Sequence, residues 1–234
     1  MQVDMARNLA DQCGAASRRK HRGECDVKTA TFALAAGALA VTGLGAAFVA
    51  VMLRPGDNFA ACREGAVAGG DIGGPFTLVD GAGATVTEAE VITAPSILYF
   101  GYTFCPDVCP MDNMRNAQAV DVLEAEYGIL ATPVFVSVDP ERDTPEVVGA
   151  FARNFHDRMI GLTGSPEQVA AAAAAYRVYF RKQEAQADDP YYLVDHTVFS
   201  YIVLPGFGVV DFVRREETPE ELAARVACFV RAAA

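Results

Sequence analysis

SILYFGYTFCPDVCP, residues 96–110, holds the transition on which the fold turns. Its opening SILYFGY (96–102) is a short apolar run of strand length, without the polar alternation of a half-exposed strand. It predicts a strand buried on both faces. After Pro110 the chain continues MDNMRNAQAVDVLEAEY (111–127), with Met114, Ala117, Val120 and Leu123 at helical spacing. A strand therefore hands over to a helix, and Cys105 and Cys109 sit in the handover.

The pattern repeats outward from there. TPVFVSVD (132–139) reads as the next strand and RMIGLTG (158–164) as a shorter one. DTPEVVGAFARNF (143–155), GSPEQVAAAAAAYRVYF (164–180) and ETPEELAARVACFVRAA (217–233) each start with Thr or Ser, then Pro, then Glu. That order predicts an N-cap, a proline at the first helical position and an acid in the first turn. PFTLVDGAGATVT (75–87) reads as a hairpin around a Gly-rich turn. HTVFSYIVLPGFGVVDFVRR (196–215) reads as two strands around Pro205–Gly208. Alternating strands and helices predict an α/β domain with helices on both faces of one sheet. The two cysteines fall at the C-terminal edge of that sheet, where ligands usually collect.

The N-terminal part differs in kind. TATFALAAGALAVTGLGAAFVAVML (29–53) carries no charge between Lys28 and Arg54. At about 1.5 Å per residue such a helix crosses a bilayer. Arg7, Arg18, Arg19, Lys20, Arg22 and Lys28 precede it, while only Arg54 lies close behind. The positive-inside rule then places the N-terminus in the cytoplasm. ALA at 38–40 resembles a signal-peptide cleavage site, but the long polar lead and the continuing apolar run favour an uncleaved anchor. The expected organisation is a cytoplasmic basic arm (1–28), a transmembrane anchor (29–53), a linker (54–70) and an exported domain (71–234). The localisation is the inner membrane, single-pass, with the domain on the periplasmic side. The arm carries six Lys/Arg against four Asp/Glu. Of the formal −11, the rest of the chain therefore holds −13. An acidic exported domain argues against a nucleic-acid partner.

Cys13 and Cys25 lie on the cytoplasmic arm. Cys62, Cys105, Cys109 and Cys228 lie outside it, where free thiols oxidise unless reduced or metallated. Cys62 and Cys228 either pair or stay free; their spacing does not decide. Three uses are open for Cys105 and Cys109: a structural disulfide, a redox pair, or part of a metal site. A helix N-terminus lowers thiol pKa values. Positions i and i+4 on one helical face also bring two sulfurs to one ligand. Structural zinc asks for four ligands, and no further C-x-x-C or C-x-x-H is present. Cu(I) accepts two thiolates and one more donor. Of the three histidines, His21 is on the cytoplasmic arm. His156 is expected at a helix end among charges, solvated. His196 begins an apolar strand beside Asp195 and is the third-ligand candidate, oriented if Asp195 or a carbonyl holds its second nitrogen. Asp107 and Asp139 are read either as supports of the site or as turn and cap residues. Met111 and Met114, just after the motif, are read either as touching copper transiently or as packing on their helix, the second being the expected role.

TFCPDVCP (103–110), SVDPERDTPE (137–146), LTGSPEQVAAAAAAYRVYFRK (162–182) and YYLVDHTVFSYIVLP (191–205), in this order, resemble the Sco/SenC family over roughly residues 71–232. The resemblance implies a membrane-anchored protein with a thioredoxin-like fold. It implies one copper ion, Cu(I) or Cu(II), held by Cys105, Cys109 and His196. The implied role is building the binuclear copper centre in subunit II of cytochrome c oxidase, with other copper chaperones and a thiol reductant as further partners. A rival expectation is a thiol–disulfide oxidoreductase, in which Cys105 and Cys109 form a redox-active pair that reduces the target's cysteines. A peroxide-reducing or redox-sensing role on the same fold ranks below both. The arm with Cys13 and Cys25 is longer than the family pattern.

Overall fold

The computed structural model describes residues 58–63, 72–183 and 192–234. The expected arm, the anchor and most of the linker lie outside the described residues. Among those described, no helix is long and apolar enough to cross a membrane.

Strand β3 (Ser96–Gly101) is buried along its whole length, as its composition predicts. It pairs in parallel with β4 (Thr132–Ser137), which pairs in parallel with β5 (Ile160–Thr163). The other neighbours are antiparallel. On one side, β8 (Ser200–Leu204) pairs with β3 and β9 (Gly208–Val213) with β8. On the other, β1 (Thr77–Asp80) pairs with β5 and β2 (Thr85–Thr87) with β1. The order is β2-β1-β5-β4-β3-β8-β9, a mixed seven-stranded sheet.

Successive residues of β3 face opposite sides, so one strand serves two cores. Ile97 packs with Val120 and Leu123 of α2 (Val108–Tyr127) and with Leu222 and Val226 of α5 (Pro219–Ala233). Leu98 and Phe100 join Val169 and Ala172 of α4 (Pro166–Ala175), with Tyr176 just beyond it. The helix starts follow the sequence. Thr144 caps α3 (Pro145–Arg153), accepting from the Val147 N–H at 3.4 Å. Ser165 and Thr218 each form a reciprocal capping box, with Gln168 and Glu221. Helix α2 ends at Gly128, whose φ of 66° lets the chain reverse.

The structure departs from the sequence reading at four places. A short helix α1 (Glu88–Val91) follows the hairpin. Helix α2 begins at Val108, before Cys109, so the cysteines do not share a helical face: Cys105 lies in the loop and Cys109 in the first turn. The long helix expected over 164–180 stops at Ala175; a turn with Arg177 at φ 56° leads into β6 (Phe180–Lys182). Finally, His196 ends β7 (Val194–His196) rather than starting β8, and β7 pairs with β6 as a separate two-stranded ribbon.

Cys62 and Cys228 form a disulfide across 166 positions. It ties a 3-10 turn (Ala60–Cys62) to α5, with Phe59 packed edge-on to Phe207 and Phe229. Part of the stretch read as linker is thus fastened to the domain.

Candidate metal centre

Three elements converge at the C-terminal edge of the sheet: the loop after β3, the first turn of α2, and the end of β7. They bring Cys105 Sγ, Cys109 Sγ and a His196 ring nitrogen within 4.8 Å of one another. Neither cysteine is in a disulfide. Cys109 is fully buried, and its Sγ lies 3.4 Å from His196 Nε2. Cys105 is 9% exposed and forms the outer side of the cluster.

The histidine's orientation is fixed by chemistry. Its Nδ1 lies 2.9 Å from the Thr197 carbonyl oxygen. A carbonyl only accepts, so Nδ1 carries the proton and Nε2 keeps its lone pair towards Cys109. Tyr99 and Tyr102 meet the imidazole edge-on, at 6.2 and 5.6 Å between centroids. The holding group is thus a carbonyl, not Asp195, which accepts from Gln183 Nε2 instead.

The two thiols are electrostatically unequal. Cys105 is lowered to about 3, mainly because the Cys109 thiol donates to it; the Asp107 and Cys109 N–H groups add to this against burial. Cys109 is pushed up, first by burial and then by the neighbouring thiolate. The pair holds one proton between them, on the inner sulfur. Tyr99 donates its hydroxyl to Cys109 Sγ at 3.8 Å, and burial raises its own pKa.

Further residues shape the cluster without touching it. Asp143, fully buried, accepts from the Thr103 N–H at 3.0 Å and from the Thr103 and Ser137 hydroxyls; it pins the loop two residues ahead of Cys105. Burial raises its pKa against those hydrogen bonds. Asp139 accepts from Arg142 Nε and from the Tyr192 hydroxyl, each at 2.6 Å. The Arg142 guanidinium then lies 3.6 Å from the Tyr192 ring centroid and 4.7 Å from that of Phe104. Asp139 therefore acts through Arg142 on the cysteine loop. Asp107 is exposed at the N-cap of α2 and makes no side-chain cap bond. Gly101 closes β3 directly under Cys109: a Cβ built there would stand 2.8 Å from its Sγ.

Two expectations need correction. His156 is mostly buried and paired, with Nε2 3.1 Å from Asp121 Oδ1 and Nδ1 accepting from the Arg158 N–H. The fold turns its helix end inward against α2, where solvation was expected. Met111 and Met114 do not pack into the core; they are 61% and 44% exposed. Helix α2 gives its inward positions to Asp112, Asn113 and Asn116, which leaves the methionines outside.

Two thiols and one imidazole form a soft donor set. They suit Cu(I) and fall one ligand short of a structural zinc site. A thioredoxin-like sheet with such a centre at its strand-to-helix loop defines a metal-handling member of that fold. The chain belongs to the SCO1/SenC family, whose model matches residues 65–231. It is 50% identical over 206 residues to Protein SenC of Rhodobacter capsulatus, covering 88% of this chain and 91% of that one. The structure is similar to that of Arabidopsis thaliana ScoI with copper bound: TM-score 0.64, 41% identity, 68% of this chain and 98% of that one. It is also similar to BsSco, described as having a disulfide switch and as a member of the Sco family of cytochrome c oxidase assembly proteins. There the TM-score is 0.53 and the identity 27%, over 67% of this chain and 93% of that one.

Proposed function

We propose that this protein is a copper metallochaperone. It takes one copper ion at Cys105, Cys109 and His196 and passes it to the binuclear copper centre of cytochrome c oxidase subunit II during assembly. The observation that carries this reading is the oriented imidazole: Nε2 turned on Cys109 Sγ at 3.4 Å, with Nδ1 occupied by a carbonyl. With both thiols deprotonated the site is −1 around Cu(I) and neutral around Cu(II), so either state is accommodated. Three ligands leave room for an incoming cysteine or histidine, so exchange proceeds without release of copper to water.

The anchor and the periplasmic placement belong to the same reading. The apolar stretch 29–53 and the basic arm support them, and the Cys62–Cys228 disulfide suits an oxidising compartment. Other copper chaperones and a thiol reductant are the further partners.

One observation favours a second reading, reduction of the target's copper-binding cysteines: the outer thiol is the acidic one and the inner thiol is buried with its proton. In that reaction the Cys105 thiolate attacks a target disulfide and forms a mixed disulfide. Cys109 then gives up its proton, closes on Cys105 Sγ and expels the second target thiolate. The target gains two electrons and the pair loses two.

His196→Ala separates the readings. Delivery requires loss of both copper retention and oxidase assembly. Loss of copper with normal assembly refutes delivery, because dithiol exchange does not need the imidazole.

A further inference from the structure

The structure places two thioethers where the main site does not use them. Met111 and Met114 stand three residues apart on α2, on neighbouring positions of one helical face. Methionine is usually a buried residue, yet these are among the most exposed large apolar side chains of the described residues. By contrast Met159 is 7% exposed, in the core. Both line a groove of about 500 Å³ between α2 and the loop before α5, which begins at Pro110, next in the chain to Cys109.

The groove has a polar floor. Asp112 lines it and is 3% exposed, and its Oδ2 has no hydrogen-bond partner. The Arg215 Nε stands 3.5 Å away as an ion pair. Arg115 lies 3.6 Å from the other oxygen, Oδ1, and spends its hydrogen bonds elsewhere, with Nη1 on the Arg214 carbonyl and Nη2 on Ser200 Oγ, both within 2.9 Å. Asp112 and Glu217 against Arg115 and Arg215 leave the lining formally neutral. Charge therefore does not select a cation here; soft sulfur does, and thioether sulfur favours Cu(I) over the hard divalent ions.

We propose that Met111 and Met114 form a second, weaker Cu(I) site at the lip of this groove, a holding place for copper beside the Cys105–Cys109–His196 centre. Movement from one to the other is ligand exchange. Bonds from copper to thioether break as bonds to thiolate form, copper stays Cu(I), and the single proton displaced from Cys109 leaves to the buffer. The thioethers do not titrate, so the second site holds copper alike from pH 5 to pH 8. The inference rests on the copper reading above only for the identity of the cargo.

The test uses the full chain carrying Cys13→Ser and Cys25→Ser, with Cys105 and Cys109 reduced, in detergent micelles under anaerobic conditions. All six methionines carry 13C-methyl labels, and Cu(I) is added as its acetonitrile complex, with Ag(I) as a redox-inert check. Met111→Leu and Met114→Leu assign the resonances. The first equivalent should give thiolate-to-copper absorption and leave the methyls unmoved. The second should shift the Met111 and Met114 methyls together, and a mild chelator should remove it first. The M111L/M114L double variant should lose the second equivalent and keep the first. The proposal is overturned if the second equivalent moves neither methyl, moves Met1, Met5 or Met52 equally, or persists in the double variant. It is also overturned if the first equivalent already moves the pair. Failure of the first equivalent to bind at the thiols would instead refute the metallochaperone reading, and the methyl response is read separately from it.

Discussion

Gly101→Ala should destroy the metal centre while leaving most of the fold standing. A Cβ at this position meets Cys109 Sγ and Tyr99 Cε1 at 2.8 Å each, and Phe135 Cε2 at 3.2 Å. Unstrained heavy-atom contacts lie near 3.5 Å or beyond, so the sulfur must move by roughly 0.7 Å. Metal–ligand distances tolerate about 0.2 Å. Cys109 has no free space to retreat into, being fully buried with His196 on one side and Tyr99 on another. Disturbing residues behind a metal ligand typically costs about 10–100-fold in affinity. Displacing the ligand itself should reach at least the upper figure. Overpacking costs about 1–3 kcal/mol of stability, or roughly 2–12 °C in Tm at about 2–4 °C per kcal/mol. The assay is anaerobic Cu(I) titration against a competing chelator, with thermal melting of the same samples. Gly128→Ala is the control. Its φ of 66° penalises any side chain, yet nothing lies within 4 Å of the added carbon. It should lose about 1–2 kcal/mol of stability and no copper affinity. Copper affinity of G101A within threefold of the parent would refute the reasoning, because the sulfur would then not be held where the backbone puts it.

Removing the Cys62–Cys228 bond as C62S/C228S should cost about 5 kcal/mol by loop entropy for a closure of this length. That is a fall in Tm of roughly 10–20 °C with copper stoichiometry unchanged; a fall under about 3 °C would refute it. Cys105, with its pKa lowered to about 3, stays thiolate as pH drops well below the ordinary thiol range. Its alkylation, followed by peptide mass spectrometry, should therefore vary little between pH 5 and 8, with Cys109 spared. A tenfold rise per pH unit would show an ordinary thiol. Between about pH 3 and the ordinary thiol range the folded pair holds one proton and the unfolded pair two, so this pair's contribution to stability rises with pH across that window and falls again above it. Arg115→Met strips the Arg214 carbonyl of its donor, leaves Ser200 Oγ with Asn116 Nδ2 alone, and leaves Asp112 with one fewer cation, at 3.6 Å in the parent. Urea unfolding should show a loss of about 3–5 kcal/mol. Lys at 115 should rescue little, since one ammonium cannot serve both acceptors; full rescue would refute the two-acceptor account.

The parts of the fold legible in the sequence are those governed by local chemistry. The Ser/Thr-Pro-Glu starts are set by what a helix's first N–H groups need, and all three appear at Thr144, Ser165 and Thr218. The unbroken run at β3 reports burial on two faces, which the structure has. The three candidate ligands were legible through order and spacing of motifs rather than through any one of them, and the structure brings them together. What was not legible depends on partners distant in the chain. Nothing local pairs Cys62 with Cys228. His196 is separated from β8 because Phe180, sixteen residues earlier, takes it as a register partner. The exposure of Met111 and Met114 follows from Asp112, Asn113 and Asn116 taking the inward face of α2, an inversion that helical periodicity of apolar residues cannot reveal.

Dithiol exchange and copper delivery place different demands on the same edge of the sheet, and His196 is where they part. Exchange needs one acidic outer thiol and one inner thiol that can close on it, which Cys105 and Cys109 provide alone. A histidine adjacent to such a pair is tolerable but not required. The Thr197 carbonyl keeps a proton on Nδ1, two tyrosine edges confine the ring plane, and the lone pair of Nε2 faces the sulfurs. That tautomer alone would serve a general base as well as a metal ligand. What weighs towards metal is the convergence of this nitrogen and both sulfurs within 4.8 Å, three donors that one soft ion can share, where dithiol exchange uses only the two thiols.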